Sequence, residues 1–244
     1  MTNAISINCD LGEGLDDIDA QVMPYLDLAN IACGGHAGDL NSMRRTVALA
    51  QQHNVQIGAH PSYPDRENFG RVSLEIPADI LRQAMHQQVH ALQDVCNTAG
   101  ATVRYIKPHG ALYNDANTRS EILQCLIQLA KDFQLPLMLQ AHPPAKQSAI
   151  THILNTEGVE LIREAFADRA YTDEGVLVPR SQAHAVHHSL QRVEEQVRSL
   201  MQQGGLMSEH HNWLAINADT LCVHSDSPQA IHFIAAIHRI CRSA

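Results

Sequence analysis

Lysine is nearly missing from this 244-residue chain: Lys107, Lys131 and Lys146 stand against 14 arginines. None of the three follows a glycine, which excludes the Gly-Lys loop that cradles nucleotide phosphates in P-loop proteins. Charge is sparse as a whole, with 18% charged residues and a net charge of -9 spread without acidic or basic blocks. Such a balance lacks the basic footprint of a nucleic-acid binder. No window approaches the roughly 18 unbroken apolar residues of a membrane span. The opening MTNAISINCD has neither the charged nor the apolar region of a secretory leader. The expectation is a soluble, cytoplasmic protein with no nucleic-acid or membrane partner. The six cysteines form no Cys-x-x-Cys pair, which argues for free thiols packed as small hydrophobes rather than a zinc or disulfide framework. No repeat, low-complexity tract or linker divides residues 1–244, so a single domain is expected.

What the chain does have is alternation. Seven short β-like runs, AISINCD, LANIAC, VQIGAH, TVRYIKPH, PLMLQAH, VELIREAFAD and TLCVH, each end in a polar residue and lead into a turn rich in Gly, Pro or Asp. Between them lie helical patterns. Met43, Val47 and Ala50 mark one, and Ile80, Met85, Val89 and Leu92 a longer one after Pro77. Thr118-Arg-Ser-Glu121 reads as a capping box before Ile122. Leu190, Val193, Val197 and Leu200 form a face ending at Gly204-Gly205, and Ser227-Pro228 reads as the start of a last helix. Strand-helix alternation calls for a parallel sheet. No G-x-G-x-x-G follows the first strand, and nearly every strand delivers an ionisable group at its C-terminal end. Those two features favour an α/β architecture closed as a single (β/α) barrel over an open sheet with one switch point.

The strand-end residues, with 16 histidines in the chain, carry the chemistry. Asn8-Cys-Asp10-Leu-Gly-Glu13 offers two carboxylates for acid–base work or for a metal. Asn30-Ile-Ala-Cys-Gly-Gly-His36 puts a histidine in a glycine loop, with Cys33 read as packing rather than as a nucleophile. Gly58-Ala-His60-Pro-Ser-Tyr-Pro-Asp65 stiffens the positions of His60 and Asp65 with prolines. In YIKPHGALYN, Lys107 leaves an apolar strand just before His109 and Asn114. That placement reads as an ammonium held for a carboxylate or a developing oxyanion. Later strands add Asp168 and Arg169, then Arg180, then His224 and Asp226.

These stretches, NCDLGEG, NIACGGHAGD, GAHPSYPD, FGR, KPHGALYN, FADRAY, LVPR and CVHSD, occur in one order from residue 8 to residue 226. Together they resemble the LamB/YcsF family, the A subunits of ATP-dependent 5-oxoprolinases. The resemblance implies a distorted seven-stranded, TIM-like barrel of the glycoside hydrolase/deacetylase type. It implies cleavage of 5-oxo-L-proline to L-glutamate coupled to ATP hydrolysis, with partner subunits B and C. With no Gly-Lys loop in the chain, ATP is expected to be bound with or by a partner, and the strand-end residues Asp10, His36, His60 and His109 are the expected ligands of a divalent metal, where one is present. Roles follow as expectations. Asp10, Glu13, His36, His60, Lys107 and His109 form the catalytic set. Asn8, Asn30, Asp65, Asn114, Asp168, Arg169, Arg180, His224 and Asp226 bind substrate. Gly35 stands where the family has a larger residue, Ser62, Ser225, Asn68 and His184 where it has glycine, and Val72 where it has arginine. The alternatives are a stand-alone metal-dependent amidase or deacetylase and a non-catalytic binding subunit.

Overall fold

A computed structural model describes residues 5–225 and 229–243. The first half of the chain runs β1 (Ser6–Leu11), α1 (Asp16–Val22), β2 (Leu28–Ala32), α2 (Leu40–His53), β3 (Gln56–His60), α3 (Ala78–Thr98), β4 (Val103–Ile106) and α4 (Gly110–Asp115). The second continues α5 (Ser120–Phe133), β5 (Leu137–Gln140), α6 (Pro144–Thr156), β6 (Leu161–Phe166), α7 (Leu190–Gln203), β7 (Gly205–Met207), β8 (Trp213–Ala215), β9 (Thr220–Cys222) and α8 (Ala230–Arg242). Strands β1 to β6 and β9 close into a parallel barrel in that order. All seven correspond to the seven runs expected from sequence. The hairpin β7–β8 stands outside the barrel and had no sequence expectation.

Strand alternation divides each strand between two environments. On β1, Ile7, Cys9 and Leu11 join the main core against the helices, while Asn8 and Asp10 face inward to polar partners. A separate cluster of Leu28, Tyr105 and Met138 fills the lower interior. Register builds the layer above it: Asp10 pairs with Asn30, Asn30 with Gly58, and Gly58 with Tyr105. A Cβ on Gly58 would sit 2.1 Å from the Tyr105 ring, so only glycine lets that ring cross the barrel.

Helix starts correct two expectations. Helix α5 begins after Arg119 with no side-chain cap, and Glu121 pairs with the Arg119 guanidinium at 2.9 Å instead of closing a box with Thr118. On α3, Ile80 is exposed and Leu81 occupies the buried face. Helix α7 ends at Gly204 in the left-handed conformation, as its sequence requires. The expected Ser227-Pro228 start of α8 lies outside the described residues. The six cysteines are buried and unpaired. Among the described residues no helix is long and apolar enough to cross a membrane.

Candidate functional site

Lys107 lies just beyond β4, inside the C-terminal mouth of the barrel, and is 2% exposed. Its Nζ sits 2.8 Å from Asp10 Oδ1 and 2.8 Å from Glu164 Oε1, with Cys222 Sγ at 3.3 Å. Burial alone would pull the ammonium's pKa down, but the adjoining carboxylates hold it well above the usual lysine value. Burial would likewise raise Asp10, yet His60 and Lys107 keep its carboxyl well below the ordinary range. Asn30 Nδ2 donates to Asp10 Oδ1 at 2.8 Å and to Asn8 Oδ1 at 2.8 Å. Tyr105 donates its hydroxyl to Asn30 Oδ1 at 2.7 Å. Lys107 is therefore a cation between two anions, not a bare charge awaiting one. That corrects its reading as the substrate's anchor.

Beside this network three histidine rings converge on Glu13. His36 Nε2 is 2.8 Å from Glu13 Oε1, and the His36 and His109 rings stack in parallel at 3.6 Å. His109 Nδ1 faces His60 Nε2 at 2.9 Å, and His60 Nε2 lies 3.3 Å from Asp10 Oδ2. Burial and the neighbouring His36 and His60 rings push His109 well below the usual imidazole range. Burial also lowers His36. The glycine loop that carries His36 is anchored by Asp39, which caps α2 in a box with Ser42. Burial drives the Cys33 thiol up to about 12, consistent with packing rather than nucleophilic use.

The opposite wall comes from the loop between β6 and α7, which folds over the mouth through bridges Arg169–Val186 and Tyr171–Leu177. Arg169 donates to the Val178 and Ala185 carbonyls at 2.7 and 3.1 Å. Burial first, and the Arg180 charge second, pull its guanidinium down to about 10. Asp168 accepts from His224 Nδ1 at 2.9 Å. Burial would raise Asp168, but His224 and Arg169 outweigh it and hold the carboxyl low. Between the walls lies a cavity of about 510 Å³, reached by Asp10, Glu13, His60, Lys107, His109 and Asn114 on one side and Arg169, Arg180 and His224 on the other.

Most of the expected set is thus brought together. Asn8 and Asn30 lie beneath the cavity as buried props, His36 behind His109, and Asp168 behind His224. Asp65 is the departure: its Oδ1 accepts from the Asn68 backbone and side chain at 3.1 and 3.0 Å, which makes it a turn residue away from the cavity. Asp226 lies outside the described residues. Sequence reasoning missed Glu164, which is fully buried. The signal was partly available: Arg163 and Glu164 are adjacent in β6 and so point to opposite faces, which puts one of the two charges inside the barrel, where it needs a partner. The departures at Gly35 and Ser62 explain one another. A Cβ on Gly35 would meet Ser62 Oγ at 2.4 Å and Gln88 Oε1 at 2.3 Å, so the serine occupies the room the missing side chain leaves.

A model of the LamB/YcsF family matches residues 5–244. The chain is 43% identical to the 5-oxoprolinase A subunit of Vibrio cholerae over 96% of each chain. It is 44% identical to the 5-oxoprolinase A subunit of Pseudomonas fluorescens, over 96% of this chain and 94% of that one. In structure it is similar to the lactam utilization protein of Thermus thermophilus, with a TM-score of 0.87 at 28% identity over 99% of this chain and 97% of that one.

Proposed function

The chain belongs to the LamB/YcsF family, and from that premise we propose that it is the A component of a cytoplasmic, ATP-dependent 5-oxoprolinase that opens 5-oxo-L-proline to L-glutamate with partner subunits B and C. The observation that carries the reading is the cavity itself, which sets a pair of guanidinium groups on the same wall as an oriented histidine, His224. The Arg180 charge depresses the Arg169 guanidinium, a strain that an anion between them relieves, and a small cyclic amide with one carboxylate supplies that anion. The carboxylate role expected of Lys107 passes to Arg169 and Arg180.

In this reading Asp168 takes the Nδ1–H of His224 and leaves Nε2 as the basic nitrogen of the neutral ring. His224 Nε2 accepts a proton from the water that attacks the ring carbonyl carbon. It returns that proton to the ring nitrogen as the C–N bond breaks. Asp168 stabilises the intervening imidazolium, and Asp10, held ionised by Lys107, orients the incoming water. Among the described residues no phosphate cradle accompanies these groups. Lys107 is committed to carboxylates, Lys131 to Glu157 at 2.8 Å, and Lys146 lies on α6. ATP is therefore assigned to the partners, and no step on this chain is routed through it.

The test is reconstitution with candidate B and C subunits on 5-oxo-L-proline, following glutamate and ADP together. Matched release of both that needs all three chains is the expected result. Lactam hydrolysis by this chain alone, without ATP, would overturn it in favour of a stand-alone amidase.

A further inference from the structure

The four groups Glu13, His36, His60 and His109 each offer one donor atom, and these atoms all lie within 4.8 Å of one another. Three measured edges are 2.8 Å (Glu13 Oε1 to His36 Nε2), 3.4 Å (Glu13 Oε1 to His109 Nδ1) and 2.9 Å (His109 Nδ1 to His60 Nε2). Donors placed tetrahedrally around an ion with metal–nitrogen bonds of about 2.0–2.1 Å lie roughly 3.3 Å apart. These three edges need only tenths of an ångström of adjustment to meet that spacing, and the other three lie within 4.8 Å. The His36 and His109 rings, parallel and stacked at 3.6 Å, must tilt for both lone pairs to point at one ion.

Proton bookkeeping gives the second argument. His60 Nδ1 faces the Lys107 carbonyl at 2.8 Å and His109 Nε2 faces the Phe69 carbonyl at 3.0 Å. A carbonyl only accepts, so both of those nitrogens carry hydrogen. Each neutral ring then turns its lone pair toward the other across 2.9 Å, an arrangement that needs a cation between them, whether a proton or a metal. The same two carbonyls fix ring orientation and tautomer, the usual support behind metal-bound imidazoles.

Charge gives the third. Asp10, Glu13 and Glu164 bring three carboxylates to this end of the cavity against the single Lys107 ammonium, and Glu164 is fully buried. With neutral histidines the cluster is two positive charges short, which is what one divalent ion carries.

We propose that Glu13, His36, His60 and His109 form a binding site for one divalent transition-metal ion of the zinc class. Three imidazoles and one carboxylate select such an ion over magnesium or calcium, which prefer all-oxygen donors. The site includes three of the four ligands expected from sequence and exchanges Asp10 for Glu13, because Asp10 is taken by Lys107. A second convergent group, Asp10, Cys222 and His224, is no rival: the Lys107 ammonium already lies 2.8 Å from Asp10 and 3.3 Å from Cys222. Bound there, the ion would polarise the lactam carbonyl. The assignment rests on side-chain geometry and stands independently of the ring-opening reaction.

The test uses the full chain, stripped with chelator and dialysed, without ATP, lactam or partners. Cobalt(II) serves as the probe, read by visible absorption and by elemental analysis. The expected result is about one tightly held cobalt per chain with the strong visible bands of a tetrahedral N/O site. Glu13→Gln and His36→Gln, each checked for an unchanged circular dichroism spectrum, should weaken binding by at least about tenfold. The control pair is His184→Gln with His210→Gln, exposed histidines that contact Glu209 and Asp173 and take no part in the Glu13 cluster. That control should bind as the wild type does. Three results would overturn the assignment: no stoichiometric uptake, uptake unchanged in both Glu13→Gln and His36→Gln, or uptake abolished by the control pair. Since no turnover is measured, a negative result here leaves the reconstitution experiment to judge the 5-oxoprolinase reading separately.

Discussion

Removing the Lys107 ammonium leaves Asp10 and Glu164 facing each other in a space nearly closed to water. A buried ion pair broken on one side costs about 3–5 kcal/mol, because the surviving charge keeps its desolvation penalty. Lys107→Met should therefore destabilise the fold by an amount of that order, measured by urea denaturation. Adding Glu164→Gln should recover part of the loss, giving a double-mutant coupling well above zero. Strictly additive effects would show that the lysine does not bridge the two. A substrate anchor, by contrast, would lower turnover in the complex and leave stability alone. A second residue gives a pH test. Asp19 accepts from the Gly12 N–H at 2.7 Å, between the Asp10 and Glu13 positions, and burial raises its carboxyl from 3.8 to about 6. A raised carboxyl pKa means that the folded state resists ionisation. The stability cost is absent below the unfolded pKa, grows as pH climbs to the folded value, and is constant above it. Asp19→Asn keeps an acceptor for Gly12 without the charge. Relative to wild type it should gain stability from about pH 4 upward, with nearly all of the gain complete shortly above about pH 6. A difference that stays flat across that range would show that the carboxyl is not strained.

At the scale of elements, the barrel's working layer depends on one strand having no side chain where its neighbour needs room. Gly58 on β3 meets the Tyr105 ring of β4, and the tyrosine hydroxyl orients Asn30, which in turn holds Asp10. The ring cannot yield without losing that chain of contacts. Gly58→Ala should destabilise the protein by at least about 1–3 kcal/mol, the usual range for overpacking. Tyr105→Phe in the same background should then cost less than it does in the wild type, because the hydroxyl contact is already lost. Equal costs in both backgrounds would separate the glycine from the tyrosine. Neither residue stood out in the sequence, and the reason is physical. Periodicity reports which face of a strand is apolar, so all seven barrel strands and the faces of α2, α5 and α7 were legible. It carries no information about which residues on adjacent strands share a level. Strand-end His and Asp residues could be collected as a set, but the split between a Lys107–Glu164 network and a Glu13–histidine cluster is a matter of register. The Thr118–Glu121 box failed similarly, since Glu121 had a nearer cation in Arg119.

For the molecule as a whole, closure ties the ends of the chain together. Strand β9 pairs with β1 across Ser6–Thr220 and with β6 across Glu164–Thr220, so neither neighbour keeps a complete set of ladder bonds without it. A barrel built this way should unfold as one unit. The candidate exception is the β7–β8 hairpin, which among the described residues forms a separate two-stranded sheet and exposes Met207 and Trp213. Yet its other face is buried: Leu206, Leu214 and Ile216 belong to the main core, and the Glu209 N–H donates to the Tyr171 carbonyl at 2.7 Å. Burying such side chains stabilises by about 1.5–3 kcal/mol each, enough to couple the hairpin to the barrel. Trp213 is the only tryptophan in the chain, so its fluorescence reports on the hairpin alone while far-ultraviolet circular dichroism reports on the helices and strands together. The two signals should give coincident urea transitions with the same midpoint and slope. A fluorescence midpoint lower by more than about 0.3 M, with the dichroism transition unmoved, would make the hairpin a separate unit and would confine cooperativity to the barrel.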